Sequence, residues 1–230
     1  MIARILPIVM AVALALGCTR TEPRAASATR DSTDVPPPPS GTDVTTPAIV
    51  FLGTSLTAGL GLDPAEAYPA IIQQKLDSAR LRYRVVNAGV SGETSAGARR
   101  RLDWLLRQPV AVLVIETGAN DGLRGQDPDS VRANIQAIID DARSRGPAPR
   151  IVLAGMEAPP NFGPIYVRRF HAIYSDLARA NRVAFVPFLL RDVAGVDSLN
   201  QADGIHPTAA GQRIVAKNVW TVLKGVLRQQ

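Results

Sequence analysis

The chain has 230 residues, 46% of them hydrophobic and 5% aromatic, with a formal net charge of +6 at pH 7; that is enough for one sizeable core and one domain. Its basic residues are dispersed, Arg99-Arg100-Arg101 being the dense run, with no aromatic platform beside them, which argues against nucleic-acid binding and leaves weak attraction toward anionic lipid surfaces. One cysteine allows no intrachain disulfide, and one cysteine with two distant histidines supplies no zinc-spaced ligand set, so neither metal nor cofactor is expected.

At the start, Arg4 precedes an apolar run over 5–16, shorter than the roughly 20 residues that cross a bilayer but suited to the core of a secretory signal. Gly17-Cys18 at its end resembles the lipobox of bacterial lipoproteins, with Ala15 and Leu16 departing from the usual larger-then-small order. Residues 1–18 are therefore expected to be a signal peptide. The expected destination is the cell envelope or periplasm, with membrane anchoring through acylated Cys18. Residues 19–47 are rich in Thr, Ser and Pro, with four prolines at 36–39. Such a composition cannot bury a core and reads as an extended tether.

From 48 to 230 the pattern alternates. Apolar, β-branched runs at 48–52, 83–87, 111–115, 151–154 and 183–187 predict strands. Segments with helical period at 67–79, 95–106, 130–144, 164–181 and 207–227 lie between and after them, the last expected to open on Pro207. The fold class is α/β, a three-layer α/β/α arrangement around a doubly wound, five-stranded parallel sheet.

In such sheets ligands bind beyond the carboxyl ends of the strands, near the point where strand order reverses. Ser55 follows the first predicted strand, Gly89 the second, Asn120 the third, and Asp203 with His206 the fifth. A serine hydroxyl needs a base within hydrogen-bond reach. His206 suits: Pro207 disfavours helical backbone before it, and Asp203 can reach back to the other ring nitrogen. His171 falls on the polar flank of a helical stripe formed by Phe170, Ile173, Tyr174 and Leu177, and takes no role. The Ser55 N–H, the Gly89 N–H and the Asn120 amide are typed to stabilise an oxyanion. The Pro-rich loop at 156–163 lies at the same edge, either a substrate-facing segment or an ordinary connection. Glu116, a carboxylate ending an apolar strand, is left between a structural and a supporting role. Asp63 and Glu66 read as charges at a helix start.

Four blocks in this order resemble the SGNH (GDSL) hydrolase family, in its thioesterase, arylesterase and lysophospholipase branch. They are Phe51-Leu52-Gly53-Thr54-Ser55-Leu56-Thr57-Ala58-Gly59, Asn87-Ala88-Gly89-Val90-Ser91-Gly92-Glu93-Thr94, Gly118-Ala119-Asn120-Asp121-Gly122-Leu123-Arg124-Gly125 and Asp203-Gly204-Ile205-His206-Pro207. The resemblance spans nearly all of 48–230 and implies a flavodoxin-like fold, Ser55 as nucleophile, Asp203 and His206 completing a triad, and Ser55, Gly89 and Asn120 as the oxyanion hole. It implies an esterase acting on a small ester or lipid through an acyl-enzyme. Thr54 stands where the family usually has Asp. An O-acetyl esterase of carbohydrates with the same triad, or a silent surface lipoprotein that binds lipid or a partner, are the alternatives. A monomer is expected.

Overall fold

The computed structural model describes residues 46–228; the expected signal segment, Cys18 and nearly all of the tether lie outside them. Five strands, β1 (Ala48–Gly53), β2 (Arg84–Gly89), β3 (Val110–Ile115), β4 (Arg150–Ala154) and β5 (Ala184–Val186), form one sheet in the order β2-β1-β3-β4-β5. Every neighbouring pair is parallel. The chain runs outward from β1 to β2, then returns across β1 to β3, so strand order reverses between β1 and β3. The predicted α/β sheet is the observed one.

Helices α1 (Ser55–Ala58), α2 (Tyr68–Ser78), α3 (Ser95–Leu105), α4 (Ala119–Leu123), α5 (Pro128–Arg143), α6 (Pro164–Asn181) and α7 (Ala209–Leu227) connect or follow the strands. Packing pairs α2 with α7, and α5 with both α3 and α6, the two outer layers expected of right-handed crossovers. Each long helix turns one apolar stripe inward: Val131, Ile135, Ile138, Ile139 and Ala142 on α5, and Val215, Ala216, Val219, Leu223 and Val226 on α7. All six residues of β1 are buried, the mark of a strand covered on both faces. A fully buried Leu or Ile in these strands contributes about 1.5–3 kcal/mol.

Local signals set the boundaries. Asp127 caps α5 by accepting from the N–H groups of Asp129 and Ser130, so this helix begins two residues earlier than its apolar period indicates. Asp63 and Glu66 form a capping box around a short 3₁₀ turn ahead of α2. Pro207 does not open α7. Thr208 is the cap, accepting from Gly211 N–H, while Pro207 pairs with Asn200 in an isolated antiparallel bridge. The strand β2 continues to Gly89, in register with Gly53, two residues beyond its predicted end.

Candidate active site

The end of β1 turns directly into the single turn of α1, whose first residue is Ser55. Thr54 caps it, its side chain accepting from Leu56 N–H, and Gly59 closes it with a left-handed φ of 74°. Gly53 is required by close approach: a Cβ there would stand 1.9 Å from Thr57 Oγ1 and 2.8 Å from Glu116 Oε2. The turn is thus held against the sheet with Ser55 almost covered, at 8% exposure.

Ser55 Oγ is 2.9 Å from His206 Nε2, and His206 Nδ1 is 2.6 Å from Asp203 Oδ2. Asp203 Oδ1 also accepts the N–H groups of Ile205 and His206. These donors, the His206 N–H first and its ring next, hold the Asp203 carboxyl well below the usual carboxylate range. The loop itself is braced. Gln201 N–H donates to His206 O at 2.7 Å, and the Gln201 amide reaches Leu60 O and Pro207 O. His171 lies apart, exposed on α6 and paired with Glu157 at 2.6 Å.

The expected oxyanion donors divide. Ser55 N–H and Asn120 Nδ2 are placed at the site, Asn120 on α4 with one amide hydrogen committed to Glu93 O at 2.9 Å. Gly89 is not. It sits within β2, its N–H donates to Asn87 Oδ1 at 3.0 Å, and a Cβ on it would meet Ala58 N at 2.3 Å, so its glycine serves close packing beneath α1. Gly92 instead lines the cavity beside Ser55 and Asn120, with a left-handed φ of 77°. No acceptor among the described residues takes the N–H of Ser55 or of Gly92. The signal for Gly92 was its place in the loop after β2, once that strand is taken to its true end.

Arg101, the last residue of the dense basic run, is not a solvated surface charge. Its guanidinium is turned inward, pairing with Glu93 at 2.7 Å and donating to Ala88 O at 2.7 Å and Gly53 O at 3.2 Å. It therefore ties the ends of β1 and β2 to the loop that carries Gly92 and Glu93.

Beneath the third block runs an aromatic ladder. Phe162, Tyr166, Phe170 and Tyr174 are spaced by four, with successive ring centroids 5.2–6.0 Å apart. Tyr174 donates to Thr117 O at 3.0 Å, and Tyr166 donates to Gln126 O at 2.7 Å. The block's glycines face these rings: a Cβ on Gly118 would lie 2.2 Å from Tyr174 Oη, on Gly122 3.0 Å from Phe170 Cζ, and on Gly125 2.5 Å from Phe162 Cε1. Asp121, buried, accepts Ser95 N–H and Oγ at 2.8 and 2.6 Å. Asn120 thus sits on a short helix pinned from both sides.

A cavity of about 580 Å³ opens over Ser55 and His206, walled by Leu60, Leu123, Met156, Pro160, Phe188 and Ile205 among others. The loop at 156–163 contributes Met156 through Pro160 to that wall. A nucleophile joined to a base, a base joined to a carboxylate, unpaired N–H donors and an apolar trough equip the site for acyl transfer from an ester.

Fold and site together define a serine hydrolase of the α/β/α type. Residues 51–214 match the GDSL-like lipase/acylhydrolase family, and the chain belongs to that family. It is 42% identical over 180 residues to the esterase TesA of Pseudomonas aeruginosa, covering 78% of this chain and 89% of the relative. Identity to thioesterase 1/protease 1/lysophospholipase L1 of Escherichia coli K12 is 37% over 170 residues, covering 73% and 79%. Among solved structures, the psychrotrophic esterase EstA from Pseudoalteromonas sp., inhibited by monoethylphosphonate, superposes with a TM-score of 0.74 at 32% identity, covering 79% of this chain and 99% of EstA.

Proposed function

We propose that this GDSL-type esterase is exported and acts on aryl esters, short to medium acyl esters, thioesters or lysophospholipids through an acyl-enzyme on Ser55. The observation that carries the reading is the continuous line Ser55–His206–Asp203 at the floor of an apolar cavity. Ser55 Oγ attacks the carbonyl carbon while His206 Nε2 takes its proton. The carbonyl oxygen, now negative, is met by the N–H groups of Ser55 and Gly92 and by the free amide hydrogen of Asn120. His206 then protonates the departing alcohol or thiol, and a water molecule, deprotonated by the same ring, releases the acid.

The apolar wall of Leu60, Leu123, Met156 and Ile205 favours an acyl chain that can fill it over the single methyl of an acetyl group. The names of the relatives, an esterase, a thioesterase/lysophospholipase and an arylesterase, support the same range. Export and anchoring through Cys18 rest on the apolar run that ends at Gly17-Cys18. The test is hydrolysis of p-nitrophenyl esters from acetate to palmitate by the purified full-length chain, beside Ser55→Ala. Turnover that the variant lacks, with an optimum longer than acetate, is the expected result. Equal rates from both proteins refute the reading.

A further inference from the structure

Glu116 follows directly on β3 and is wholly buried, an expensive place for a carboxylate unless something there needs it. The groups that meet it come from the nucleophile's turn. Thr54 N–H donates to Oε2 at 2.7 Å, Thr54 Oγ1 stands 3.0 and 3.1 Å from the two oxygens, and Thr57 Oγ1 donates to Oε2 at 2.8 Å. Thr54 is the cap of α1 and Thr57 its third residue, so the carboxylate grips the turn on both sides of Ser55.

We propose that Glu116 is a positioning residue for catalysis: by holding Thr54 and Thr57 it fixes the turn that presents the Ser55 hydroxyl and N–H to the substrate.

Three further observations fit this assignment. Thr57 gives its one hydroxyl proton to Glu116 and so accepts from Tyr68 Oη, 2.8 Å away; the chain Tyr68 to Thr57 to Glu116 anchors the turn to α2. Thr54 also finds a reason. An Asp at that position would set a second carboxylate against Glu116, whereas Thr brings a donor. Lastly, burial pushes the Glu116 carboxyl up to about 7, although Thr54 and Thr57 pull it down. Tyr68 from α2 and Tyr174 from α6 face it and stay neutral, both hydroxyls held above the usual tyrosine range by burial first. Arg101 from α3 reaches the adjoining ends of β1 and β2 but is engaged with Glu93, Ala88 O and Gly53 O. Protonated, Glu116 loses an acceptor position and one of its holds on the turn.

The experiment is the pH dependence of kcat and KM on p-nitrophenyl butyrate for the full-length wild type, Glu116→Gln and Thr57→Val. Because the proposal rests on the esterase reading, turnover by the wild type tests that reading separately, before any variant is compared. Glu116→Gln should keep its far-ultraviolet circular dichroism and a KM within about twofold, yet lose about tenfold or more in kcat, as removal of a supporting partner commonly does. It should also lose a step in kcat that the wild type shows near neutrality. Thr57→Val, which keeps the carboxyl but removes a donor that lowers its pKa, should move that step to higher pH. Wild-type kcat and an unchanged pH profile in Glu116→Gln would overturn the proposal. If that variant does not fold, Thr57→Val decides: a lower kcat with a displaced step supports positioning, and a wild-type profile overturns it.

Discussion

His206 Nε2 stands 2.9 Å from Ser55 Oγ across 151 residues of chain. The two residues come from opposite ends of the domain, one from the turn after β1 and the other from the loop before α7. Each loop has its own supports, the Thr54 cap and Gly59 around Ser55 and Gln201 beside His206, so either side chain can be removed without dismantling its loop. Ser55→Ala and His206→Ala should each lower kcat/KM by about 10⁴-fold or more while leaving the melting temperature within a few degrees. Steady-state kinetics beside a thermal melt check this.

Asp203 carries its charge under strong local encouragement. Its carboxyl is held well below the usual range by His206 N–H, the His206 ring and Ile205 N–H, and so stays ionised wherever the enzyme works. Asp203→Asn should cost about 10³–10⁴-fold in kcat by leaving the ring without a carboxylate to orient and balance it. Raising the pH should not restore the rate. Because the folded value is depressed, the stability it lends is present above its ordinary value of 3.8 and fades as pH falls below it. The side chain is 45% exposed, so that contribution is small.

Tyr174 joins the core to the oxyanion side of the site. Its hydroxyl donates to Thr117 O from a fully covered position and occupies the space over Gly118. Tyr174→Phe leaves the ring packing intact and orphans one carbonyl, for an expected stability loss of about 1–3 kcal/mol. With Asn120 two residues beyond Gly118, kcat should fall more than KM rises. Denaturant melts and kinetics on the same preparation separate the two effects.

The sheet was legible because buried parallel strands advertise themselves as apolar β-branched runs, and the Ser55–His206–Asp203 line because Ser55 directly follows β1 and the Asp203 and His206 block precedes Pro207 in the long loop between β5 and α7. Helix starts set by caps were less legible: α5 begins at Pro128 because Asp127 caps it, and α7 begins after Thr208 because Pro207 is spent on the bridge to Asn200. The two one-turn helices, α1 and α4, are too short to show a period at all, yet they carry Ser55 and Asn120. Arg101 and Glu116, the latter left between two roles, were undecided for another reason. A charge in a polar run or at a strand end looks the same whether it points outward or, as here, inward onto backbone carbonyls and threonine donors.

Glu116 also makes a statement about stability. Its carboxyl is raised in the folded chain from 4.5 to about 7, so between those values the folded state binds more protons than the unfolded one. Stability from this group is therefore full below 4.5, falls as pH rises toward 7 and levels off above it. Glu116→Gln lacks this slope. Its melting temperature, relative to wild type, should climb between pH 5 and pH 8; a constant difference across that range would contradict the raised value.

Gly89 and Gly92 separate packing from chemistry. At Gly89 a Cβ would lie 2.3 Å from Ala58 N and 2.8 Å from Thr54 O, both backbone atoms of the nucleophile's turn, so Gly89→Ala must shift α1 or β2 and should destabilise the fold. At Gly92 the nearest atom is Arg124 Nη2, 3.9 Å away, and the cost is the left-handed backbone alone, about 1–2 kcal/mol. Yet Gly92 faces the cavity, and relaxing its φ would turn the N–H away from the substrate oxygen it is proposed to meet. Gly92→Ala should therefore melt close to wild type while losing about 10²-fold or more in kcat, and Gly89→Ala should melt much earlier. A Gly92→Ala enzyme with full activity would return the third oxyanion donor to some other group.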